Sequence, residues 1–558
     1  MRYVPENPLI VQSDHSLLLE TMGPHFREVR DALIAFAELV KSPEYVHTYR
    51  ITPLSLWNAA AAGHGPDEVV GVLERWSKYE VPPNVPVSIQ ETMGRYGRLK
   101  LFADGDQLKL VASDPVLMTE IRNSKAARGL LGPELDELSN RVATAHRGEL
   151  KQALTHVGHP VEDLAGYTDG EALPVALRDM TLGGAPFAFR DYQVNAIEAF
   201  HGDGRAEGGS GVIVLPCGAG KTMVGIGAMA RLEMRTLILC TNITALRQWK
   251  AEILDKTEIS EDDVGEYSGE TKEIKPVTLS TYQILPYRRT KNDEFVHFGL
   301  FNRANWGLII YDEVHLLPAP IFRSVAQLQA RRRLGLTATL VREDGKQGDV
   351  FALIGPKRFD VPWRELEGQG WIAAADCTEI RIAQTPERDM EYALAPRRNQ
   401  FRIAAENPRK RAVVTELLKQ EAGHRILVIG EYIDQLQDLA ADTGFPLLPG
   451  KTPQLERERL YQGFRERTVP GLVLSRVGNF AVDLPDADVL VQVSGRYGSR
   501  QEEAQRLGRV LRPKKDGRRA RFYTLVSLRT CEEDFARHRQ LFLTEQGYSY
   551  RIETWGKD

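Results

Sequence analysis

Three short stretches carry residue types and spacings that could do chemistry on a phosphate anhydride. The first is Pro216-Cys217-Gly218-Ala219-Gly220-Lys221-Thr222, which follows the apolar run GVIVLP (211–216) and precedes the helix-like MVGIGAMA. Small residues let consecutive backbone N–H groups wrap an anion, and the positive end of a following helix reinforces them. Lys221 is placed to reach the β- and γ-phosphates of ATP, and the Thr222 hydroxyl to coordinate Mg2+. Leu215 stands where the strict pattern GxxxxGK[ST] has its first glycine. The second stretch is WGLIIYDEVH, whose Asp312 and Glu313 fall at the end of an apolar run. An isolated acid pair there is commonly just solvated. After a phosphate loop, Asp312 reads as the metal-binding acid and Glu313 as the group that orients or deprotonates water. The third is Gln505-Arg506-Leu507-Gly508-Arg509-Val510-Leu511-Arg512, where Gln505, Arg509 and Arg512 share one helical face. Arg506 has Glu502 one turn back, whereas Arg509 and Arg512 have no such acid, so they suit a γ-phosphate.

These groups need rigid strands to hold them. From Phe189 onward short apolar runs alternate with helical stretches: GVIVLP, TLILCT (236–241), VTLSTY (277–282), WGLIIYD (306–312) and RLGLTAT (333–339), then RILVIG (425–430), GLVLS (471–475), ADVLVQVS (487–494) and RFYTLVS (521–527). Continuous apolar strands between helices predict parallel sheets covered on both faces, and two series predict two tandem α/β domains. Ligands of such sheets sit at the carboxyl ends of strands, where the first two motifs fall. The expected organisation is a mainly helical N-terminal domain over 1–95, a small α+β module over 96–180, one α/β domain over 181–362 and a second over 363–558, with a basic insertion near 385–412. Residues 16–40 have helical apolar spacing, and Pro53 to Tyr79 reads as two helices broken at Gly63–Pro66 and closed by PPNVP (82–86). The stretch 97–113 reads as two strands around an Asp-Gly turn followed by a helix, and Gly183–Pro186 as a linker.

A chain of 558 residues is too long for one core. Its 27% charged and 42% hydrophobic residues are ordinary for a globular protein, and a net charge of −4 leaves any basic surface to be local. Four scattered cysteines lack CxxC spacing, which argues against a zinc site or a disulfide framework. No segment is apolar enough for a leader or a membrane span, so no membrane association and a cytoplasmic location are expected.

GVIVLPCGAGKT, WGLIIYDEVHLLPA, LGLTATLVRED, DLPDADVLVQVS and GSRQEEAQRLGRVLRPKK together resemble the XPB helicase family, a group of superfamily 2 motors, over about residues 186–550. The resemblance implies two RecA-like domains and DNA-dependent ATP hydrolysis. It implies 3′-to-5′ opening of duplexes, forks or bubbles, serving DNA repair such as nucleotide excision, in a prokaryotic setting. It implies that Arg190 and Gln193 read adenine, that Asp483 approaches the nucleotide, and that His315, Thr337 and Thr339 couple ATP to DNA. Arg342-Glu343-Asp344 look like the family's duplex-opening element, and Arg397 and Arg398 fall in its thumb-like grip. Family relatives work with nuclease or repair proteins.

Two other readings share these motifs. One is an RNA helicase or restriction-type translocase. The other is an ATP-driven switch or scaffold that recruits a nuclease with little unwinding. ATPase stimulation by different nucleic acids tests the first, and strand displacement at matched ATPase rates tests the second.

Overall fold

In the computed structural model the described residues are 3–33, 35–41, 45–166, 170–204, 208–216, 218–285, 287, 297, 304–317, 332–338, 347–361, 366, 371, 375–449, 452–475, 487–495, 519–545 and 549–556. The chain divides into two compact units. Met1–Val40, Val46–Leu215 and Gly220–Val361 form the first; Pro362–Asp558 forms the second, with the short stretches Lys41–Tyr45 and Pro216–Ala219.

The first unit opens on strands β1 (Leu9–Val11), β2 (Ser16–Glu20), β3 (Glu38–Lys41) and β4 (Val46–Arg50), in the order β1-β2-β4-β3, with helix α1 (Phe26–Leu33) between β2 and β3. The helical spacing over 16–40 is thus overturned at both ends. In β2, Leu17 and Leu19 are buried while Ser16, Leu18 and Glu20 are less so, a period of two. Antiparallel pairing with β1 (Leu9↔Leu19) and β4 (Leu17↔Tyr49) fixes that period and overrides the helix pattern. The next helix begins after Thr52, whose hydroxyl accepts from Ser55 N–H and starts α2 (Pro53–Ala61). Helix α3 spans Pro66–Trp76. The PPNVP run does not close this region; it begins α4 (Asn84–Met93), because proline in a first helical turn forfeits no intrahelical bond.

A five-stranded sheet comes next, in the order β7-β8-β6-β5-β9, from β5 (Leu99–Asp104), β6 (Gln107–Ala112), β7 (Glu134–Asp136), β8 (Ser139–Val142) and β9 (Val161–Asp163). The β5–β6 hairpin closes on Asp104↔Gln107 around Gly105, whose φ of 65° suits a tight turn. Helices α5 (Pro115–Asn123) and α6 (Arg147–His156) cover it with Leu117, Met118, Ile121, Leu150 and Leu154.

Gly183–Pro186 is a closed turn, not a loose linker. Thr181 N–H donates to Ala185 O at 2.8 Å and Gly184 N–H to Thr181 O at 2.9 Å, while Leu182 N–H donates to Asp255 Oδ1 at 2.8 Å. The preceding segment is stitched to the same unit by Glu171 N–H to Asn305 O and Leu173 N–H to Glu233 O.

A wholly parallel seven-stranded sheet completes the unit in the order β12-β13-β11-β14-β15-β10-β16. Its strands are β10 (Ser210–Val214), β11 (Thr236–Cys240), β12 (Val264–Tyr267), β13 (Val277–Thr281), β14 (Leu308–Asp312), β15 (Arg332–Thr337) and β16 (Lys357–Asp360). Helices α7 (Asp191–His201), α8 (Lys221–Leu232), α9 (Ile243–Lys256) and α10 (Gln347–Leu353) accompany it. Residues such as Leu237, Leu239, Ile309, Leu334 and Leu336 are fully buried, each stabilising by about 1.5–3 kcal/mol.

The second unit repeats the plan: a parallel seven-stranded sheet, order β19-β20-β18-β21-β22-β17-β23. Its strands are β17 (Ala375–Ile382), β18 (Ile426–Gly430), β19 (Leu447–Leu448), β20 (Gly471–Ser475), β21 (Val489–Gln492), β22 (Ala520–Ser527) and β23 (Ser549–Thr554). Helices α11 (Pro386–Leu394), α12 (Arg397–Ala405) and α13 (Arg409–Gln420) precede β18. Among the described residues no helix is long and apolar enough to cross a membrane.

Candidate nucleotide and metal site

Strand β10 runs into the glycine-rich loop, and α8 begins at Lys221. Gly218 and Gly220 have φ of 82° and 78°, the left-handed region that turns successive N–H groups toward one point. A side chain on Gly220 would also strike Gln193, since a Cβ there would lie 2.6 Å from its Nε2. Thr222 is the second residue of α8 and half-buried.

Two strands away β14 delivers Asp312. Glu313 directly after it adopts φ 51° and ψ 56°, a conformation that costs a non-glycine residue about 1 kcal/mol or more. Lys221 Nζ lies 3.0 Å from Glu313 Oε1. Glu313 Oε2 is buried without a hydrogen-bond partner among the described residues, an acceptor left over for a water. Burial pushes the Glu313 carboxyl up, but the charges of Lys221 and His315 outweigh it, so it sits below its ordinary value. Asp312 moves the other way. Burial first and the Glu313 charge second push it up to about 6, against the pull of Lys221 and a hydrogen bond from Trp249. Oxygen donors of this kind suit Mg2+, which keeps several waters and leans on substrate phosphates.

His315 and Thr337 are both buried and share a hydrogen bond, Nδ1 to Oγ1, of 2.7 Å; Thr337 O in turn accepts Leu215 N–H at 3.0 Å. Strands β14, β15 and β10 are thereby tied together at their carboxyl ends. Gln193 is buried at the start of α7, where its Oε1 accepts Arg190 N–H at 3.0 Å and Arg190 Nη1 donates to Tyr192 Oη at 2.9 Å. Cys217, Thr339, Arg342, Glu343, Asp344, Asp483, Gln505, Arg509 and Arg512 lie outside the described residues.

Four of the seven basic residues over 388–411 are held by acids within the second unit. Arg388 pairs with Glu391, Arg402 with Glu406 and Asp434, and Arg411 with Asp438 and Asp442. Lys410 is fully buried on Glu532 at 2.8 Å. Arg397 and Arg398 are exposed in the first turn of α12, where the helix dipole disfavours cations. Neither has an ion pair among the described residues. Arg519 and Arg521 are also spoken for, by Asp376 and Glu421.

Sequence reading missed two residues that touch the acid strand. Trp249 Nε1–H donates to Asp312 Oδ2 at 3.2 Å, and Tyr282 Oη–H donates to Asp312 O at 2.9 Å. Nothing local in the sequence marks either residue, because the partner is remote along the chain.

Comparison with known proteins agrees with this arrangement. Residues 366–557 match the family model described as ERCC3/RAD25/XPB C-terminal helicase, and residues 186–342 that of the Type III restriction enzyme, res subunit. Residues 9–136 match a model described as helicase conserved C-terminal domain, a span that runs across residue 95. A DNA 3′-5′ helicase XPB of Kineococcus radiotolerans is 53% identical over 98% of this chain and 96% of its own length. One of Mycobacterium tuberculosis is 52% identical, with 98% of each chain covered. A general transcription and DNA repair factor IIH helicase/translocase subunit XPB of Encephalitozoon cuniculi is 34% identical, over 98% of this chain and 83% of its own. With the acid pair, phosphate loop and twin parallel sheets in place along nearly the whole of those relatives, the chain belongs to the XPB family of helicases.

Proposed function

We propose that the chain is an ATP-dependent DNA helicase that moves 3′ to 5′ and opens duplex DNA at forks or bubbles in repair, working beside a nuclease or another repair protein. The observation that carries the ATP-using part is the buried group Glu313–His315–Thr337, with the half-buried Lys221 on Glu313 and Asp312 beside it, at the carboxyl ends of parallel strands.

Without nucleotide Lys221 is held by Glu313. A triphosphate competes for that ammonium, and Glu313, ionised because its carboxyl is held low, is released to orient the attacking water through Oε2. Thr222 and Asp312 would hold Mg2+, which supplies neutralisation of the β- and γ-phosphate charge. His315 registers the change at Glu313 and passes it to Thr337, on the strand that leads to Thr339 and Arg342–Asp344. Arg509 and Arg512 are assigned to the γ-phosphate, and Arg190, Gln193 and Asp483 to the nucleotide, from sequence. Arg397 and Arg398 grip backbone phosphates, so binding is independent of sequence and sensitive to salt.

The test is ATP hydrolysis and strand displacement on forks, bubbles, single strands and RNA with the intact chain. Stimulation by forked DNA together with displacement at a rate matching hydrolysis supports this reading. Hydrolysis without displacement favours the switch, and preferential stimulation by RNA favours an RNA helicase.

A further inference from the structure

Asp312 does not hold its own position. Its main-chain oxygen is anchored by Tyr282, but only one side chain among the described residues grips the carboxylate, the indole of Trp249. An indole N–H is a donor only, so this bond has one sense and one kind of partner. Trp249 stands on α9, which is started by Asn242 Oδ1 accepting Ala245 N–H at 2.9 Å. Its ring is 2% exposed and fills the space beside α8 that Gly225 leaves open. A Cβ on Gly225 would lie 2.3 Å from Cη2 and 2.9 Å from Cζ3 of that ring, and 3.4 Å from Leu336 Cδ1. The indole is therefore wedged between the phosphate-loop helix, four residues after Lys221, and the acid strand. It has no freedom to turn its N–H elsewhere without displacing one of them.

We infer that Trp249 is the positioning residue for the metal-binding carboxylate: by occupying Asp312 Oδ2 it fixes the carboxylate before a cation arrives and leaves Oδ1 as the oxygen offered to it. This rests on the reading of Asp312 as the Mg2+ ligand. Hydrogen-bond partners one step behind a metal ligand commonly set its affinity within about 10–100-fold. The wedge also makes α9 part of the metal site, because any shift of that helix moves the donor.

Mn2+ replaces Mg2+ as the probe, with binding to the full chain followed by electron paramagnetic resonance in the presence of ADP; a fluorescent ADP analogue in EDTA reports nucleotide affinity without metal. Trp249→Phe keeps an aromatic ring and loses the N–H. It should weaken Mn2+ binding about tenfold while leaving metal-free nucleotide affinity within about twofold. Gly225→Ala keeps both the indole and the acid but crowds the ring, and should weaken Mn2+ in the same direction; it carries the test if Trp249→Phe fails to fold. Asp312→Asn separates the two claims. Loss of Mn2+ in Asp312→Asn with wild-type Mn2+ affinity in Trp249→Phe, or in Gly225→Ala where Trp249→Phe does not fold, overturns the positioning role alone. Full Mn2+ affinity in Asp312→Asn overturns the metal assignment, and this inference with it.

Discussion

Two buried charge clusters in the first unit make opposite use of similar residues. In the N-terminal module, Asp163 accepts from Arg147 Nε at 2.9 Å, Arg147 Nη2 at 2.7 Å and Lys151 Nζ at 2.9 Å. In the nucleotide site Lys221 meets Glu313 at 3.0 Å, Asp312 and Glu313 repel each other, and Glu313 Oε2 has no hydrogen bond among the described residues, with His315 Nδ1 3.6 Å away. The first cluster is complete. The second is short of one ligand, and its acid sits on a strained backbone. The difference teaches that a buried charge meant to stay is saturated with donors, whereas one meant to react is left with an open valence and a competitor.

Breaking each cluster should therefore have opposite signatures. The largest effect is expected from Lys221→Ala or Glu313→Gln, each lowering DNA-stimulated hydrolysis by about a thousandfold or more in a steady-state phosphate-release assay, with little change in melting temperature. Retention of wild-type turnover would remove the site assignment. Next, Asp163→Asn leaves Arg147 and Lys151 buried without their anion. It should cost about 3–5 kcal/mol in denaturant unfolding of the first unit, with turnover per folded molecule unchanged.

Asp312→Asn sharpens the contrast with the reverse sign. The native Asp312 keeps its proton up to about pH 6, while its ordinary value is 3.8. Between those values the native state binds more protons, so stability falls as pH rises through that window and the cost is fully present above it. The variant should be more stable than wild type at pH 7 by about 1–3 kcal/mol, inactive, and equal to it below pH 4. Asp163, whose carboxyl is held low by Lys151 and Arg147 against the push of burial, follows the opposite rule. Its contribution is present above pH 3.8 and is lost as pH falls through its still lower folded value. The smallest effect divides the basic cluster of the second unit. Arg397→Ala or Arg398→Ala should each flatten the salt dependence of DNA binding by about one ion, whereas Arg411→Ala, tied to Asp438 and Asp442, should leave that slope alone.

The same contrast explains what could be read beforehand. Lys221, Asp312 and Glu313 could be singled out because they end or follow an apolar strand, where local pattern and chemistry coincide, whereas His315 and Thr337 came through the family resemblance. Strands β10, β11, β13, β14 and β15 were legible because both their faces are buried. Strand β17 was not, although it lies between β22 and β23. It carries a buried Glu379, 1% exposed, which is satisfied by Arg381 Nε at 2.7 Å and by Tyr550 Oη at 2.5 Å. Polar residues paired across strands hide a central strand from any reading of hydrophobicity. The short β12, β16 and β19 were missed for want of length. Trp249 was missed because its meaning lies in a contact with a residue far along the chain.

The closed turn at Thr181–Ala185, anchored on Asp255, has a mechanical consequence. It ties the segment after the N-terminal region to α9, while Gln152 Nε2–H donating to Asp349 Oδ1 at 2.6 Å and Asn58 Oδ1 accepting Lys357 N–H at 3.0 Å tie that region to α10 and β16 at two places. A displacement of that N-terminal region would arrive at β16 and α10 without slack. Residues on both sides of these two bonds therefore move as one body, so the N-terminal region is braced on the first parallel sheet and not hung from a tether.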